Sequence, residues 1–490
     1  MSSAQVDVGM LRICWGVRRG KRLVCKEPVT DEETIREVEG LISELRRRVE
    51  RHKGKLENAA FIDELIDLLE RWLEEHKSDE GKKVRKARKI VKRMIELLRR
   101  LRRRWVEEYW KQLLELIELL ERNATDIIVT RGNSDNKSLI AHIYSKDVAI
   151  NISKITKSEG VTISLTLSKL EGDYVKVANT FSDEELLKVI QHGWEMTDGF
   201  VEHKYPAMCT NQTWQAVLWS LTYPGEVRMR IYGIGINEDN VSIRWHLTAK
   251  DHVAKPKRGV AKEVERLGTE RLKAFLAPAI WSDGTVYITG IEYMALIIGL
   301  SKYDLWFNII ERLINELGFT VQPRNYSVEV VVRSSKAVRL ARDWLSVPDI
   351  KELIELGASL PGGEKLRRII ELASKDVKER GISSIAIPGT DISMSIHIDS
   401  NCHVELRAWR RDENETLRLV EELNKVGLHP SIYVERGYYV VSINHTNIRD
   451  SPLKLVVCQK LGKWLEGEKD ERRKKRIARA MQNLKCFDHA

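Results

Sequence analysis

Between residues 31 and 122, apolar side chains recur at three- and four-residue steps. Ile35, Val38, Ile42, Leu45 and Val49 form one stripe, Leu65, Leu68, Leu69, Trp72 and Leu73 a second, and Val84, Val91, Met94, Leu98, Leu101 and Trp105 a third. Breaks at "KGK" (53–55) and "KSDEGKK" (77–83) predict three amphipathic helices, each needing a partner for its stripe, as in a helical hairpin or coiled coil. From residue 125 the pattern turns to strands. "DIIVTRG", "VAINISKI", "VTISLTLSKL" and "YVKVANTF" predict a small antiparallel sheet with "GNSDNK", "SEG" and "EGD" as turns. Ser182, followed three residues on by Glu185, then opens a helix, "SDEELLKVIQHGWEM".

That helix begins an internal repeat. With Leu187 laid on Leu272 and no gap, Thr197, Asp198, Gly199 and Val201 fall on Ser282, Asp283, Gly284 and Val286. Each copy continues through strands and a second helix to a closing pair of strands, which indicates duplicated units sharing a buried face. A partial third copy, "LVEELNKVGLHPSIYVERGYYVVSI", lacks the acidic "DG" at its helix end. The expected organisation is an N-terminal segment (1–30), a charged helical region (31–122), a small β region (125–181), copy one (182–260), copy two (265–347), a helical spacer (348–380), the partial third repeat (381–466) and a basic tail (467–490) expected to fray.

Composition narrows the function classes. A chain of 490 residues, 42% hydrophobic, can bury sizeable cores, and its net charge of +10 favours a polyanionic partner, nucleic acid before membrane. With 31% charged residues, ion-pair networks account for part of that charge. The third helix carries Arg99, Arg100, Arg102, Arg103 and Arg104, a phosphate-tracking stripe on one reading. On the other it is a solvated face paired with the acidic helix beside it, where antiparallel packing sets opposite charges together. Arg228, Arg230, Arg244 and Lys250 lie on or beside strands with Trp245 and are candidates for backbone phosphate contacts. The six cysteines show no CxxC spacing, so a reducing cytoplasm without disulfides is expected, and no stretch is apolar enough to span a membrane. His397, Asp399, Cys402 and His403 cluster in "HIDSNCH", but without zinc-site spacing. Trp214, Trp219, Trp306 and Trp344 are expected in the core.

"LAPAIWSDG" is similar to the LAGLIDADG motif of homing endonucleases, and the elements after it resemble that family's αββαββα half-domain over residues 182–347. The resemblance implies two motif helices packed side by side, each delivering one carboxylate, Asp198 and Asp283, to Mg²⁺ beside a scissile phosphate, with Lys302 near the attacking water. The chain departs from the motif in several places. His192 and Glu195 stand where apolar packing residues are expected, Pro278 lies inside the second motif helix, and Asn211 and Gln212 replace a lysine. From "KYPAMCTNQTWQAVLWSLTYPG" and "FLAPAIWSDG" to "SKYDLWFNIIERLINELGF", and over most of its length after residue 120, the chain also resembles the multicopy PaRep proteins, type 2b, of hyperthermophilic crenarchaea, a resemblance that supplies no catalytic role.

The expected fold is therefore α+β: a helical hairpin, tandem αββαββα units and a partial β-β-α-β-β unit. The leading functional expectation is a non-catalytic nucleic-acid-binding or accessory protein, with DNA as the expected polymer and no membrane partner. The alternatives are a Mg²⁺-dependent DNA endonuclease, or a structural protein that self-associates through residues 31–122.

Overall fold

The computed structural model describes residues 12–20, 22–131, 138–154, 160–289, 293–300, 303–324, 327–375, 384–390, 392–468 and 470–486. The fold is α+β and divides into two compact units, residues 1–375 and 376–490.

The first unit opens with a hairpin, β1 (Arg12–Arg19) and β2 (Arg22–Pro28), within what the sequence left as a featureless N-terminal segment. Cys14 and Cys25 form a disulfide across it. The helices α1 (Glu32–Arg51), α2 (Lys53–Glu57), α3 (Ala60–Glu75), α4 (Lys82–Arg104) and α5 (Trp110–Glu121) follow, with a π-turn at Trp105–Tyr109 joining the last two. Asp31 caps α1 by accepting from the Thr34 amide. The helical stripes are real but do not meet as a free coiled coil. α1 packs on the strands Val148–Lys154 and Val161–Leu167, α3 on the strand Val241–Ala249 and on α4, and α4 also on the strand Gly225–Ile236, so Val38, Leu45, Leu69, Met94 and Leu98 are buried inside the chain.

The β region that reads as a separate small sheet belongs to a larger one. Strands β3 (Asp126–Arg131), β4 (Leu139–Tyr144), β5 (Val148–Lys154), β6 (Val161–Leu167) and β7 (Asp173–Val177) include β4, which the alternation reading missed. Copy one supplies α6 (Glu184–Met196), β8 (Gly199–Glu202), β9 (Tyr205–Thr210), α7 (Thr213–Thr222), β10 (Gly225–Ile236) and β11 (Val241–Ala249). Together they form an eleven-stranded sheet in the order β2-β1-β3-β4-β5-β6-β10-β11-β9-β8, with β7 also paired to β10. Its register separates two faces. Val129, Ala141, Ile150, Leu165, Ile234 and Trp245 point to the helical layer and are buried, while Thr130, His142, Asn151, Thr166, Gly233 and Arg244 lie on the other face.

After α8 (Lys257–Val264), copy two repeats the element order: α9 (Thr269–Asp283), β12 (Gly284–Thr289), β13 (Tyr293–Leu300), α10 (Tyr303–Leu317), β14 (Thr320–Arg324), β15 (Ser327–Arg333) and α11 (Ser334–Ser346). Its strands form a separate four-stranded sheet, β12-β13-β15-β14. The spacer folds back onto this unit as α12 (Pro348–Ser359) and α13 (Glu364–Ser374), packed on each other and on α11.

The second unit has the β-β-α-β-β order of the partial repeat and more. Strands β16 (Ser384–Ala386), β17 (Ser393–Ile398), β18 (Val404–Arg410), β19 (Ser431–Glu435) and β20 (Tyr438–Ile443) form one sheet, with α14 (Glu413–Lys425) against β18 and β20. Beyond it come α15 (His445–Arg449), α16 (Leu453–Gly467) and α17 (Glu471–Asn483). The basic tail is not a frayed end. Ile477, Ala480, Met481 and Leu484 enter the core of this unit, and Cys458 and Cys486 form a disulfide. The expectation of reduced cysteines is thus corrected, since both pairs are set by a hairpin and a helix–helix contact that no CxxC spacing announces. Among the described residues, no helix is long and apolar enough to cross a membrane.

Candidate functional site

The helices α6 and α9 pack side by side, and the 85-residue step of the repeat becomes a local pseudo-symmetry where they end. At the end of α6, Thr197 Oγ1 lies 2.7 Å from the Gly193 carbonyl oxygen. In α9, Ser282 Oγ lies 2.7 Å from the Pro278 carbonyl oxygen. The two hydroxyls meet each other at 2.6 Å, so with one proton each, one donates across the crossing and the other to its own helix. Closeness at the crossing depends on Gly193: a Cβ there would lie 2.3 Å from Pro278 Cγ and 2.6 Å from the Phe275 carbonyl oxygen. Pro278, a departure from the motif, is accommodated at this contact, and α9 continues through it to Asp283. Nor does His192 disturb the crossing. It is buried between the carboxylates of Glu195 at 3.0 Å and Glu263, from α8, at 3.1 Å.

Both helices present their C-terminal ends to the same place, bringing two sets of partly negative carbonyls together with Asp198 and Asp283. Two lysines offset that charge. Lys257 Nζ donates to the carbonyls of Met196, at 3.3 Å, and Thr197, at 2.6 Å. Lys365 Nζ, from α13, donates to those of Trp281, at 2.7 Å, and Ser282, at 3.0 Å. The acceptors are the same two positions in each copy, although Lys257 comes from the end of copy one and Lys365 from the spacer, positions that the repeat does not match.

The Asp198 and Asp283 carboxyls are close enough to act on each other. Desolvation first, and then the charge of and hydrogen bond to Asp198, push the Asp283 carboxyl up to about 7, against the pull of Lys257 and Lys365. Asp283 still exposes more than a third of its surface, so crowding by neighbours, not enclosure, accounts for the desolvation. Burial also lowers the Lys365 ammonium, while the two aspartates hold it up. Asp198 is oriented by a chain whose direction is determined. Gln215 Nε2 donates to Asp198 Oδ2 at 3.0 Å, the Gln215 oxygen accepts from Thr210 Oγ1, and Thr210 Oγ1 accepts from the Gln212 amide at 3.0 Å.

Asp198 lies at one side of a cleft of about 580 Å³, with Ser164, Gly235, Ser242 and Arg244 of the sheet's polar face lining it and Gln215 and Lys365 facing them. Arg230 donates to Glu202 at 3.3 Å and to the His246 ring at 3.3 Å, and Arg230 and Arg244 both lie near the Tyr232 ring. Arg228 is half-buried on β10, and the Lys250 ammonium sits 4.4 Å over Tyr205. The helical arginines are largely engaged. Arg99 pairs with Glu70 at 2.6 Å, Arg102 with Asp63 at 2.5 Å, Arg100 with Asp173 at 2.9 Å and Arg104 with Glu108 at 2.7 Å, while Arg103 is exposed. Lys302 lies outside the described residues.

The structure therefore brings together the two aspartates that the repeat aligns, and adds Lys257, Lys365 and Gln215, which the sequence did not single out. The lysines have no counterpart at the repeat step, and Gln215 reads as one more polar residue in an apolar helix. In "HIDSNCH", Asp399 and His403 approach to 3.7 Å, and among the described residues no group of three or more His, Cys, Asp or Glu side chains could hold a metal. Trp214, Trp219, Trp306 and Trp344 are buried. No protein-family model matches the chain, and no curated protein sequence does. Among solved structures the chain is similar to the crystal structure of full-length DUF199/WhiA from Thermatoga maritima, at 12% identity over 62% of this chain and 82% of that one, with a TM-score of 0.23, too low to decide anything about this chain.

Proposed function

We propose that this chain is a nucleic-acid-binding protein built on two LAGLIDADG-like halves, with the polar face of the long sheet as its contact surface. The observation that carries the reading is the division of that sheet. One face is sealed by helices, and the other is a polar floor bearing Arg228, Arg230 and Arg244, open at the cleft that Arg244 and Asp198 line and closed beside Arg228 and Arg230, where Thr248 and His246 are buried. The chain's net charge of +10 has the sign that phosphate contacts require, and the three arginines put part of it on this face. The helical stripe at Arg99–Arg104 is assigned to ion pairing within the fold. The test is filter binding with two double variants: Arg228→Ala with Arg244→Ala should weaken DNA binding by at least about tenfold, whereas Arg99→Ala with Arg102→Ala should leave it within about twofold. The opposite ranking would move the interface to the helices.

One observation favours a second reading, metal-dependent cleavage: the two carboxylates meet. Two hard oxygen donors, one of them held by Gln215, suit Mg²⁺, which takes its remaining ligands from water and phosphate. When bound there, the ion would supply charge neutralisation at a phosphodiester. Nicking of supercoiled DNA in Mg²⁺, lost in EDTA and in Asp283→Asn, would establish this reading. Binding without nicking would leave the aspartates as residues that join two helix ends.

A further inference from the structure

The last helix of the second unit turns the basic tail into a fixed surface. At helical periodicity the stripe Ile477, Ala480, Met481 and Leu484 of α17 faces the core, and Arg472, Lys475, Arg479 and Gln482 come round on the opposite side, at steps of three and four residues. All of these outward residues are exposed. Arg472 and Arg479 lie about 10 Å apart along the axis at helical rise, so with Lys475 between them they form a short row of one sign.

The carboxylates beside this row in the sequence are engaged elsewhere. Glu468 pairs with Arg473 at 3.0 Å and Glu471 with Lys474 at 3.3 Å, while Asp470 caps the helix by accepting from the Arg472 amide at 2.8 Å. Among the described residues no carboxylate pairs with the side chains of Arg472, Lys475 or Arg479. The face differs in this from the arginine stripe of α4, where Arg99, Arg100, Arg102 and Arg104 each have a carboxylate at 2.5 to 2.9 Å. The helix is also held along its length. Cys486, just beyond it, is bonded to Cys458 of α16, Arg476 donates to the Asp399 carbonyl at 3.3 Å, and the Asn483 carbonyl lies 3.3 Å from the His445 ring. A ligand therefore meets a preformed row of charges, and binding has only side chains to order.

We propose that the outer face of α17 binds the phosphate backbone of a nucleic acid, as a second contact surface of the chain. Chemistry narrows the occupant. Exposed cations without internal partners suit a partner that carries a regular row of anions, and each phosphate they meet releases condensed counterions. An anionic membrane would also attract them, but a helix lying on a membrane inserts an apolar face, and the apolar stripe of α17 is already buried in the core. The proposal rests on the nucleic-acid reading above and adds a surface that the reading does not use.

The experiment is fluorescence anisotropy of the full chain with a labelled DNA duplex across a salt series, beside flotation with phosphatidylserine vesicles. The triple variant Arg472→Gln, Lys475→Gln, Arg479→Gln should lower duplex affinity by about 10- to 100-fold and flatten the slope of log K against log salt by about two to three. Its melting temperature should not change, because the substituted side chains lie outside the core. The charge-keeping triple Arg472→Lys, Lys475→Arg, Arg479→Lys should bind within about twofold of the parent. A glutamine triple that binds like the parent with the same slope, while Arg228→Ala with Arg244→Ala still weakens binding, would overturn the α17 proposal and leave the sheet reading intact. Loss in the glutamine triple without loss in the sheet variant would support α17 and overturn the sheet as the interface. Vesicle binding that the glutamine triple loses, in a parent that ignores the duplex, would replace nucleic acid by a membrane surface. A parent that binds neither probe would overturn both readings.

Discussion

Thr197 and Ser282, 85 residues apart, share a hydroxyl–hydroxyl hydrogen bond of 2.6 Å at the crossing of α6 and α9. Each also lies within hydrogen-bond distance of the carbonyl four residues earlier, to which the hydroxyl that accepts across the crossing donates, so both helices end with the same geometry against each other. The aspartates that follow them are thereby delivered to one point. This contact tolerates no added volume. Gly193→Ala would drive a methyl into Pro278 and the Phe275 backbone, and is expected to destabilise the protein by about 1–3 kcal/mol. Gly40→Ala, on the exposed face of α1 with nothing within 4 Å, should stabilise by about 0.5–1 kcal/mol. Denaturant midpoints of the two variants test the contrast; equal shifts would contradict it.

Asp283 gives stability a pH dependence of known sign. Desolvation and the neighbouring Asp198 push its carboxyl up to about 7 in the folded chain, from an ordinary value of 3.8. Between these values the folded protein holds a proton that the unfolded chain has released, so stability falls as pH rises through this window and levels off above it. Asp283→Asn removes the titrating group. Its melting temperature should exceed that of the parent at pH 8, and the gap should narrow towards pH 4. Parallel melting curves across that range would show that the aspartates do not share a proton.

Lys365 links the spacer to the site. Lys365→Met would leave the Trp281 and Ser282 carbonyls without their donor, at a cost of about 1–3 kcal/mol. It would also remove a cation that holds the Asp283 pKa down, so the Asp283 titration should move further up. Carboxyl chemical shifts followed against pH measure that movement, and an unchanged Asp283 titration would sink the assignment.

The two disulfides close loops of different length, Cys14–Cys25 spanning 11 residues and Cys458–Cys486 spanning 28. On the chain-entropy account each contributes about 3–4 kcal/mol, the longer loop slightly more. Thermal unfolding with and without reductant, in Cys14→Ser and Cys486→Ser, measures each contribution. No change on reduction would mean that the thiols are free in solution.

What the sequence made legible follows from how locally each feature is encoded. The α6 and α9 ends and both aspartates show in a gapless match, and the element order after it shows in segments of unequal length, because helix period and "DG" junctions are short-range signals. The opposition of Arg99 and Arg102 to Glu70 and Asp63 also follows from helix order alone. The long sheet does not, because β1 pairs in parallel with β3 across the whole helical layer, and β6 pairs with β10 across copy one's first half. The tail looked frayed because seven charges in "DERRKKR" hide the stripe of Ile477, Ala480, Met481 and Leu484, which only the second unit's core reveals. Lys257 and Lys365 stayed invisible for a similar reason: each acts on carbonyls about 60 or 80 residues away, and no pattern near either lysine marks it.

The central claim, that the open sheet face binds nucleic acid through its arginines, is tested most directly by measuring the affinity for single- and double-stranded DNA across a salt series. The account predicts that log K falls linearly with log salt, by about 0.7–0.9 per phosphate contacted, and that Arg244→Ala makes the slope shallower by about one contact. Binding that is absent, or that ignores salt in both proteins, would contradict it.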